Sequence, residues 1–490
     1  METEAIRKGF DSLKDGKEYD NLYQAAISRM NADFLVGINA TRLYTCLYNR
    51  KLNIGRVQSP TINIIVKRQR AIQNFISQPY FTITADCGSF KAYTRAEDKK
   101  TAESIVERCN EKKAIVSSIE KQDKTENAAA LFDLTTLQRE ANKFLGYSAQ
   151  QTLDIVQSLY EAKLTTYPRT DSRYLTEDME SSTIELIEGL AKSKLLNTKT
   201  LSNYDTLRVN VKRIINNKKV SDHHAIIPTK GVLTDNLEKL PTAERNILTL
   251  ITYRLLTAPY AANKYTHTKV LLDSEGEEFT ATGNQTLDIG FKEFQNHLNE
   301  IIKATPDKET AKDEPENEAI SNNIKEGSSI EDVKVMAEAK KTNPLPPYTE
   351  ATLLSAMENA GKDLEDEELR KAMKEKDGGL GTPATRAGVI ERIMKTGFIE
   401  RKGKHLLATE QAFTLMDLLP EKLKEPELTA EWEKQLEQIN QGELTSHKFM
   451  ADIAAYVTSI VNGTKEGYNP NAANDTFKTE RERYRHMSTL

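Results

Sequence analysis

The sequence predicts a multidomain protein, mainly α-helical, in which a β-rich section is split into two stretches by a helical one. Three observations carry that prediction. At 490 residues the chain is long enough for several domains, each with its own core. Segments rich in β-branched residues occur in two separate stretches, before residue 126 and after residue 255. Apolar residues at helical spacing dominate both ends of the chain and the stretch between the β-containing sections. A β-containing section interrupted by helices, with helices outside it on both sides, reads as a set of nested, discontinuous domains.

Residues 1 to about 57 read as helical, because Leu22, Ala25, Ala26, Met30 and Phe34 recur at helix spacing. Residues 58–125 are mixed, with strands expected at 81–86 and 114–119. Residues 126–255 are expected to be mostly helical. There Ser148 and Gln151 form a capping box, after which Leu153, Val156 and Tyr160 repeat with a helical period. Strand character returns at 266–272, 279–283 and 330–337. Residues 303–328 are polar and largely acidic and read as a flexible insertion. Asn343-Pro-Leu-Pro-Pro347 is the hinge into a last helical section from Thr349, and residues 471–490 form a charged tail.

Composition excludes several classes. The chain is 38% hydrophobic and 29% charged, has no apolar run of the length a membrane helix needs, and begins without the apolar core of a signal peptide. Cys46, Cys87 and Cys109 form no Cys-x-x-Cys pair, which excludes a zinc ribbon and a disulfide framework and points to the cytoplasm. The net charge of −5 does not advertise nucleic acid, but the charge distribution does. Residues 42–70 hold seven Arg or Lys and no acid, and a second basic stretch runs from Arg208 to Lys219. Phosphate binding needs only a local basic surface. The competing reading of both stretches is a solvated charged face.

Three segments carry chemistry. In Leu164-Thr-Thr-Tyr-Pro-Arg-Thr-Asp-Ser172, the threonines and the proline after Tyr167 favour an extended backbone at the tyrosine. A new helix can start at Thr176, with Glu177 and Asp178 in its first turn. In an extended segment residues i and i+2 share a face, so one phosphodiester could meet both the Tyr167 phenol and the Arg169 guanidinium. Attack on phosphorus would give a phosphotyrosine, with Arg169 neutralising charge on the phosphoryl oxygens. A Tyr-x-Arg by itself is more often structural than catalytic.

The second segment is Ser221-Asp-His-His-Ala-Ile-Ile-Pro-Thr229. Adjacent side chains diverge, so His223 and His224 do not share a metal; one could donate to a phosphate while the other packs. The third is Asp377-Gly-Gly-Leu-Gly-Thr-Pro-Ala-Thr-Arg386. It places Thr382 as N-cap and Pro383 at the first helical position, which builds a helix N-terminus suited to a phosphate. It lacks the Gly-Lys-Ser/Thr of a nucleotide P-loop.

Together these segments resemble a known family. Thr166-Tyr-Pro-Arg-Thr-Asp-Ser172 resembles the active-site motif of type IA DNA topoisomerases in their topoisomerase III form. Asn31-Ala-Asp-Phe-Leu-Val-Gly-Ile-Asn-Ala-Thr-Arg-Leu-Tyr-Thr45, Gly55-Arg-Val-Gln-Ser-Pro-Thr61, His223-His-Ala-Ile-Ile-Pro-Thr229, Tyr348-Thr-Glu-Ala-Thr-Leu353 and Gly381-Thr-Pro-Ala-Thr-Arg386 resemble further family blocks, in the family's order. The resemblance implies a toroidal body whose domains enclose a hole for DNA. Residues 1–57 and 345–470 would form a helical single-strand-binding domain. Residues 58–125 and 256–344 would form a β-rich arch, and 126–255 the helical domain with the tyrosine.

The resemblance also implies roles. Tyr167 matches the nucleophile that takes a 5′ phosphate, Arg169 the arginine that positions it, and His223 a histidine beside it. Asn53, Ile54, Gly55, Arg56, Val57 and Gln58 match a DNA-contacting segment. Ser59, Arg42, Thr385 and Arg386 complete the expected DNA contacts. The implied reaction is cleavage of one strand, strand passage and religation without ATP.

Family members begin with a Toprim domain that carries a catalytic glutamate and an Asp-x-Asp cluster for Mg2+, and the resemblance here opens just after it. Magnesium is therefore expected on a Toprim domain, and no metal ligand is expected in this chain. Two function classes follow: a topoisomerase completed by a Toprim-bearing chain, or a non-catalytic single-stranded DNA-binding module. A relaxase-type nuclease would need a His-x-His pair, which His223-His224 does not supply. Single-stranded DNA is the expected ligand, with no membrane association and a monomeric state.

Overall fold

The computed structural model describes residues 7, 9–192, 204–234, 237–294, 298, 320, 324–375 and 379–466. Most of the expected insertion at 303–328, all of the expected tail at 471–490, and Asp377 and Gly378 lie outside the described residues. The chain divides into two compact units, one formed by Met1–Arg70 with Pro347–Leu490 and the other by Ala71–Pro346.

The first unit opens with the long helix α1 (Asp20–Tyr48), which ends where Asn49 turns into the left-handed region at φ 49°. It buries Ala25, Ala32, Val36, Ala40 and Tyr44, one stripe at helical spacing. Helix α2 (Gln58–Gln73) follows and buries Ile62, Ile65 and Val66. Residues 58–70 were expected in the β-rich section, and this corrects that expectation. Their apolar residues fall at i, i+3 and i+4, so they fold as helix and belong to the first unit.

The second unit holds two hydrophobic cores. One belongs to a closed antiparallel barrel of β1 (Pro79–Asp86), β2 (Lys91–Ala96), β3 (Lys112–Glu126), β4 (Asn263–Ser274), β5 (Glu277–Asp288) and β6 (Ser329–Lys341), in the order β1-β2-β5-β4-β3-β6. The ladders are unequal. β3 and β4 pair from Ile115↔Asp273 to Glu126↔Asn263, whereas β2 and β5 join only at Tyr93↔Thr280. Between β2 and β3, helix α3 (Lys99–Cys109) sends Ala102, Ile105 and Cys109 into the barrel's core. The five expected strands are present. β2 and α3 were not anticipated, because both are short and mostly charged or polar.

The other core is helical. It gathers Leu134, Leu137 and Ala141 of α4 (Leu134–Leu145) and Leu153, Val156 and Leu159 of α5 (Ala149–Glu161). Leu186, Ile187 and Leu190 of α6 (Glu180–Lys192) join them, with α7 (Thr242–Thr257), which is buried on all sides from Ile247 to Thr257. The capping box at Ser148 and Gln151 is present, and Thr176 stands at the N-cap position of a short 3-10 turn at Glu177–Met179 that leads into α6, without a side-chain capping bond. Residues 162–179, 204–234 and 237–241, expected to be largely helical, instead run as irregular chain with short 3-10 turns. Pro168, Pro228 and Pro241 cannot continue a helix ladder, and Asp205 and Asn216 each cap a single turn. The candidate site is built from this irregular chain.

The chain then returns to the first unit through α8 (Glu350–Glu358), α9 (Glu367–Glu375) and α10 (Pro383–Lys395). The hairpin of β7 (Ile399–Lys402) and β8 (His405–Ala408) comes next, with Gly403 at φ 60° in its turn. This hairpin was not anticipated in the helical section expected from Thr349. Helices α11 (Glu410–Leu418), α12 (Glu421–Lys424), α13 (Glu427–Gln441) and α14 (Ser446–Glu466) complete the unit, with α13 and α14 packed on α1. No described helix is long and apolar enough to cross a membrane.

Candidate active site

Tyr167 follows the end of α5. Lys163 adopts φ 61°, a left-handed turn that closes the helix through Lys163 N donating to Tyr160 O (2.9 Å) and Leu164 N donating to Leu159 O (2.9 Å). The chain then pairs with the segment after His223. Thr165 bridges Pro228, and Thr166 N donates to Ile227 O (2.9 Å). The Thr166 hydroxyl donates to Ala225 O (3.1 Å) and accepts from Ile227 N (3.0 Å). Two irregular segments far apart in sequence are thus locked side by side.

Tyr167 is half-buried. Its ring lies edge-on to Tyr160, with centroids 5.4 Å apart, and tilted against His223 at 4.5 Å. Such ring pairs contribute roughly 0.5–1.5 kcal/mol each beyond area burial, enough to favour one ring position. The Tyr167 hydroxyl has no hydrogen-bond partner among the described residues. Pro168 is buried and Arg169 is exposed, and Arg169 forms no ion pair or hydrogen bond with another described residue.

The two histidines diverge. His223 is exposed on the Tyr167 side. His224 turns inward, with Nδ1 2.9 Å from Ala225 O. Burial pulls the His224 imidazole below its ordinary value, aided by the neighbouring His223, while the Ala225 carbonyl and Asp178 work against the shift. One imidazole is therefore packed and biased to neutrality, and the other is available beside the phenol.

Beyond Arg169 the chain is braced by short hydroxyls. Thr170 Oγ1 donates to His223 O (3.0 Å) and accepts from Ser172 N (3.1 Å). Ser172 Oγ donates to Lys219 O (2.8 Å). Arg173 pairs with Asp133, whose other oxygen caps α4 by accepting from Thr136 N at 2.6 Å. Tyr160, Thr170, Ser172 and Asp133 were not singled out from the sequence. Tyr160 was the last residue of a recognised helical repeat, so its closeness to Tyr167 was within reach. The hydroxyl braces join residues about fifty apart and left no local signal.

The expected DNA contacts fall in the first unit and behave differently. A cleft of about 470 Å³ runs beside α1 and residues 53–58, with Asp33, Phe34 and Arg392 on its walls. Asn53, Gly55, Val57 and Gln58 line it at intermediate exposure, and Arg42 and Thr385 are exposed. Ile54, Arg56, Ser59 and Arg386, named with them as DNA contacts, are buried, and Ile54 and Arg56 reach the cleft's lining.

The physical reasons are specific. Arg56 makes a bidentate pair with Asp33 (2.8 and 3.1 Å), bonds Glu433 (3.1 Å) and lies over the Trp432 ring. Arg386 is fully buried and donates from Nε to Leu380 O (3.3 Å). Gly379, at φ 91°, makes the turn beneath it; a Cβ there would collide with the Met357 carbonyl. At the start of α10, Thr382 N donates to the Thr385 hydroxyl (3.0 Å), so the N-cap amide is already satisfied.

Part of the acid-free stretch is answered by acids from elsewhere. Lys67 pairs with Glu425 and Arg70 with Asp417, each at 2.6 Å, and Arg68 stacks on Tyr348. In the second basic stretch Arg208 grips Asp288 with both oxygens at 2.6 Å, while Lys212 and Lys218 stay exposed.

A family model described as "DNA topoisomerase" matches residues 17–451. The chain is 38% identical over 474 residues to DNA topoisomerase 3 of Bacillus cereus, covering 94% of this chain and 63% of that protein. It is 38% identical over 473 residues to DNA topoisomerase 3 of Bacillus subtilis, with the same coverage. The chain thus spans a little under two thirds of the length of these relatives. In solved structures it resembles full-length topoisomerase I from Thermotoga maritima, with a TM-score of 0.68 and 23% identity over 89% of this chain and 68% of that one, a likeness of fold.

Proposed function

The chain belongs to the DNA topoisomerase family, and from that membership we propose that it is the body of a type IA, topoisomerase III-like enzyme acting on single-stranded DNA. The Tyr167 phenol oxygen attacks a backbone phosphorus. The new O–P bond forms as the P–O3′ bond breaks, leaving a 5′-phosphotyrosine and a 3′ oxygen that takes up a proton. The phenol proton must leave, and the exposed His223 imidazole against the ring is the nearest group suited to hold it. Arg169 neutralises charge on the phosphoryl oxygens. Religation is the reverse step. The phosphotyrosine keeps the bond energy, so no ATP is consumed.

One observation carries this reading. A half-buried tyrosine is held by its neighbours' rings with its hydroxyl unengaged, and two residues on stands an arginine that no described acid claims. Buried tyrosines usually find a hydrogen-bond partner and structural arginines an acid. The cleft beside residues 53–58, lined by Asn53, Gln58, Phe34 and Arg392, supports a strand-binding role; Arg56 reaches its lining with its guanidinium already paired to Asp33 and Glu433. A ring-shaped body with nested domains, a monomeric state and a cytoplasmic location belong to the same reading. Among the described residues no group of three or more His, Cys, Asp or Glu could hold a metal. The described residues do not fit the magnesium the family implies. We place that ion on a Toprim-bearing partner.

The test is cleavage of an end-labelled single-stranded oligonucleotide with magnesium, with and without a Toprim domain in trans, beside Tyr167→Phe. The expected result is a covalent adduct that the variant lacks. DNA binding with no adduct in either arm would move the chain to the binding-module reading.

A further inference from the structure

The Tyr167 ring is fixed by packing on two neighbours. The His223 ring has no hydrogen bond of its own among the described residues, so its place against Tyr167 follows from its backbone. That backbone is held at its carbonyl by the Thr170 hydroxyl, at 3.0 Å. Thr170 is 2% exposed and is itself anchored. Its hydroxyl also accepts from Ser172 N (3.1 Å), and its carbonyl accepts from Leu134 N (3.1 Å), the first residue of α4. Two residues past His223, Ala225 N donates to Tyr174 O (2.9 Å). One buried hydroxyl, three residues after the phenol, therefore ties the chain that carries the phenol to the chain that carries the imidazole.

We propose that Thr170 is a positioning residue that sets the His223 imidazole against the Tyr167 ring. Its hold on the imidazole stands on this geometry alone; its effect on cleavage rests on the reading of Tyr167 as nucleophile. The competing account is that the hydroxyl only satisfies a buried carbonyl. Both accounts expect some loss of stability on removing the hydroxyl. Only positioning expects the ring to move.

The experiment labels the full chain with 13C at its histidine rings and assigns His223 by His223→Gln. The ring-current shift due to Tyr167 is the difference between the wild type and Tyr167→Leu. Thr170→Val is expected to move the His223 resonance at least about half of the way to its position in Tyr167→Leu, while Thr170→Ser, which keeps the hydroxyl, leaves it in place. Thr170→Ala is read in the same way if the valine variant does not fold. An unmoved His223 resonance on loss of the hydroxyl overturns the proposal.

In single-turnover cleavage, Thr170→Val is expected to be slower by roughly 10- to 100-fold with DNA affinity unchanged, since small misplacements at a reacting centre cost about that much. The double variant Thr170→Val with His223→Gln is expected to be no slower than His223→Gln alone. Fully additive losses would show that Thr170 does not act through His223. If the wild type forms no adduct, the functional reading fails, and the ring-current arm still decides the proposal.

Discussion

The Tyr167 loop and the cleft beside residues 53–58 both match family blocks that contain an arginine, yet they use it in opposite ways. At the loop, scaffolding falls to short hydroxyls and backbone amides, which leaves Arg169 exposed and unclaimed. At the cleft, Arg56 and Arg386 are themselves the scaffolding. Arg56 is clamped by Asp33 and Glu433, and Arg386 is folded under a glycine turn. The difference teaches that an arginine in a motif serves a ligand only if the fold has found another way to hold the segment. Where carboxylates or buried carbonyls reach it first, its charge is spent on folding.

The comparison can be broken or sharpened by substitution. The largest effect is expected from Tyr167→Phe, which should lower adduct formation by on the order of 10⁵-fold, the scale of losing a nucleophile, with the thermal midpoint nearly unchanged. Arg169→Ala should slow cleavage by roughly 10²- to 10³-fold. Its stability should stay within about 0.5 kcal/mol of wild type, as for an unpaired surface residue. Arg56→Ala should do the reverse. It should cost about 1.5–3 kcal/mol in denaturant unfolding, because Asp33 loses its bidentate partner and Glu433, still paired with Arg29, loses one of its two cations. An Arg56→Ala protein as stable as the wild type but unable to bind DNA would reverse the assignment of the two arginines.

Less of this was legible in the sequence than the motifs suggest. Five of the six barrel strands announced themselves through β-branched content, α1 and α5 through helical period, and α5 and α10 through their caps. The hairpin of β7 and β8 did not, because Ile399-Glu-Arg-Lys402 is too short and charged to show alternation. Tyr167 and His223 were expected near one phosphate, and their rings are in contact. The fate of Arg56 was hidden, since its claimants lie 23 and 377 residues away. An acid-free window in sequence says nothing about acids that arrive in space, as Lys67 with Glu425 and Arg70 with Asp417 illustrate.

Two smaller predictions refine the loop. His224 is depressed by burial, so the folded state resists a proton that the unfolded chain accepts. Above about pH 6.5 both states are neutral there and the group contributes nothing. As pH falls below that value the unfolded state gains the proton and stability declines. His224→Gln should flatten that decline in melting temperatures taken between neutral and mildly acid pH, with His223 and Asp178 left as the charges facing the site. Smallest is Lys163→Gly. It removes the cost of a side chain at φ 61° but frees the unfolded chain, so the net change in unfolding free energy should stay within about 1 kcal/mol.

The barrel's unequal ladders have a mechanical consequence. A closed sheet has no free edge to recruit another strand, but this one is a cylinder with a seam: β2 and β5 meet at a single residue pair while β3 and β4 are laced along their whole length. A force or thermal fluctuation that splits the wall will part it at Tyr93 and Thr280 and leave the remaining ladders paired. The cylinder can unroll there as a curved plate without melting, and the amides flanking that seam should exchange with solvent before any others in the wall.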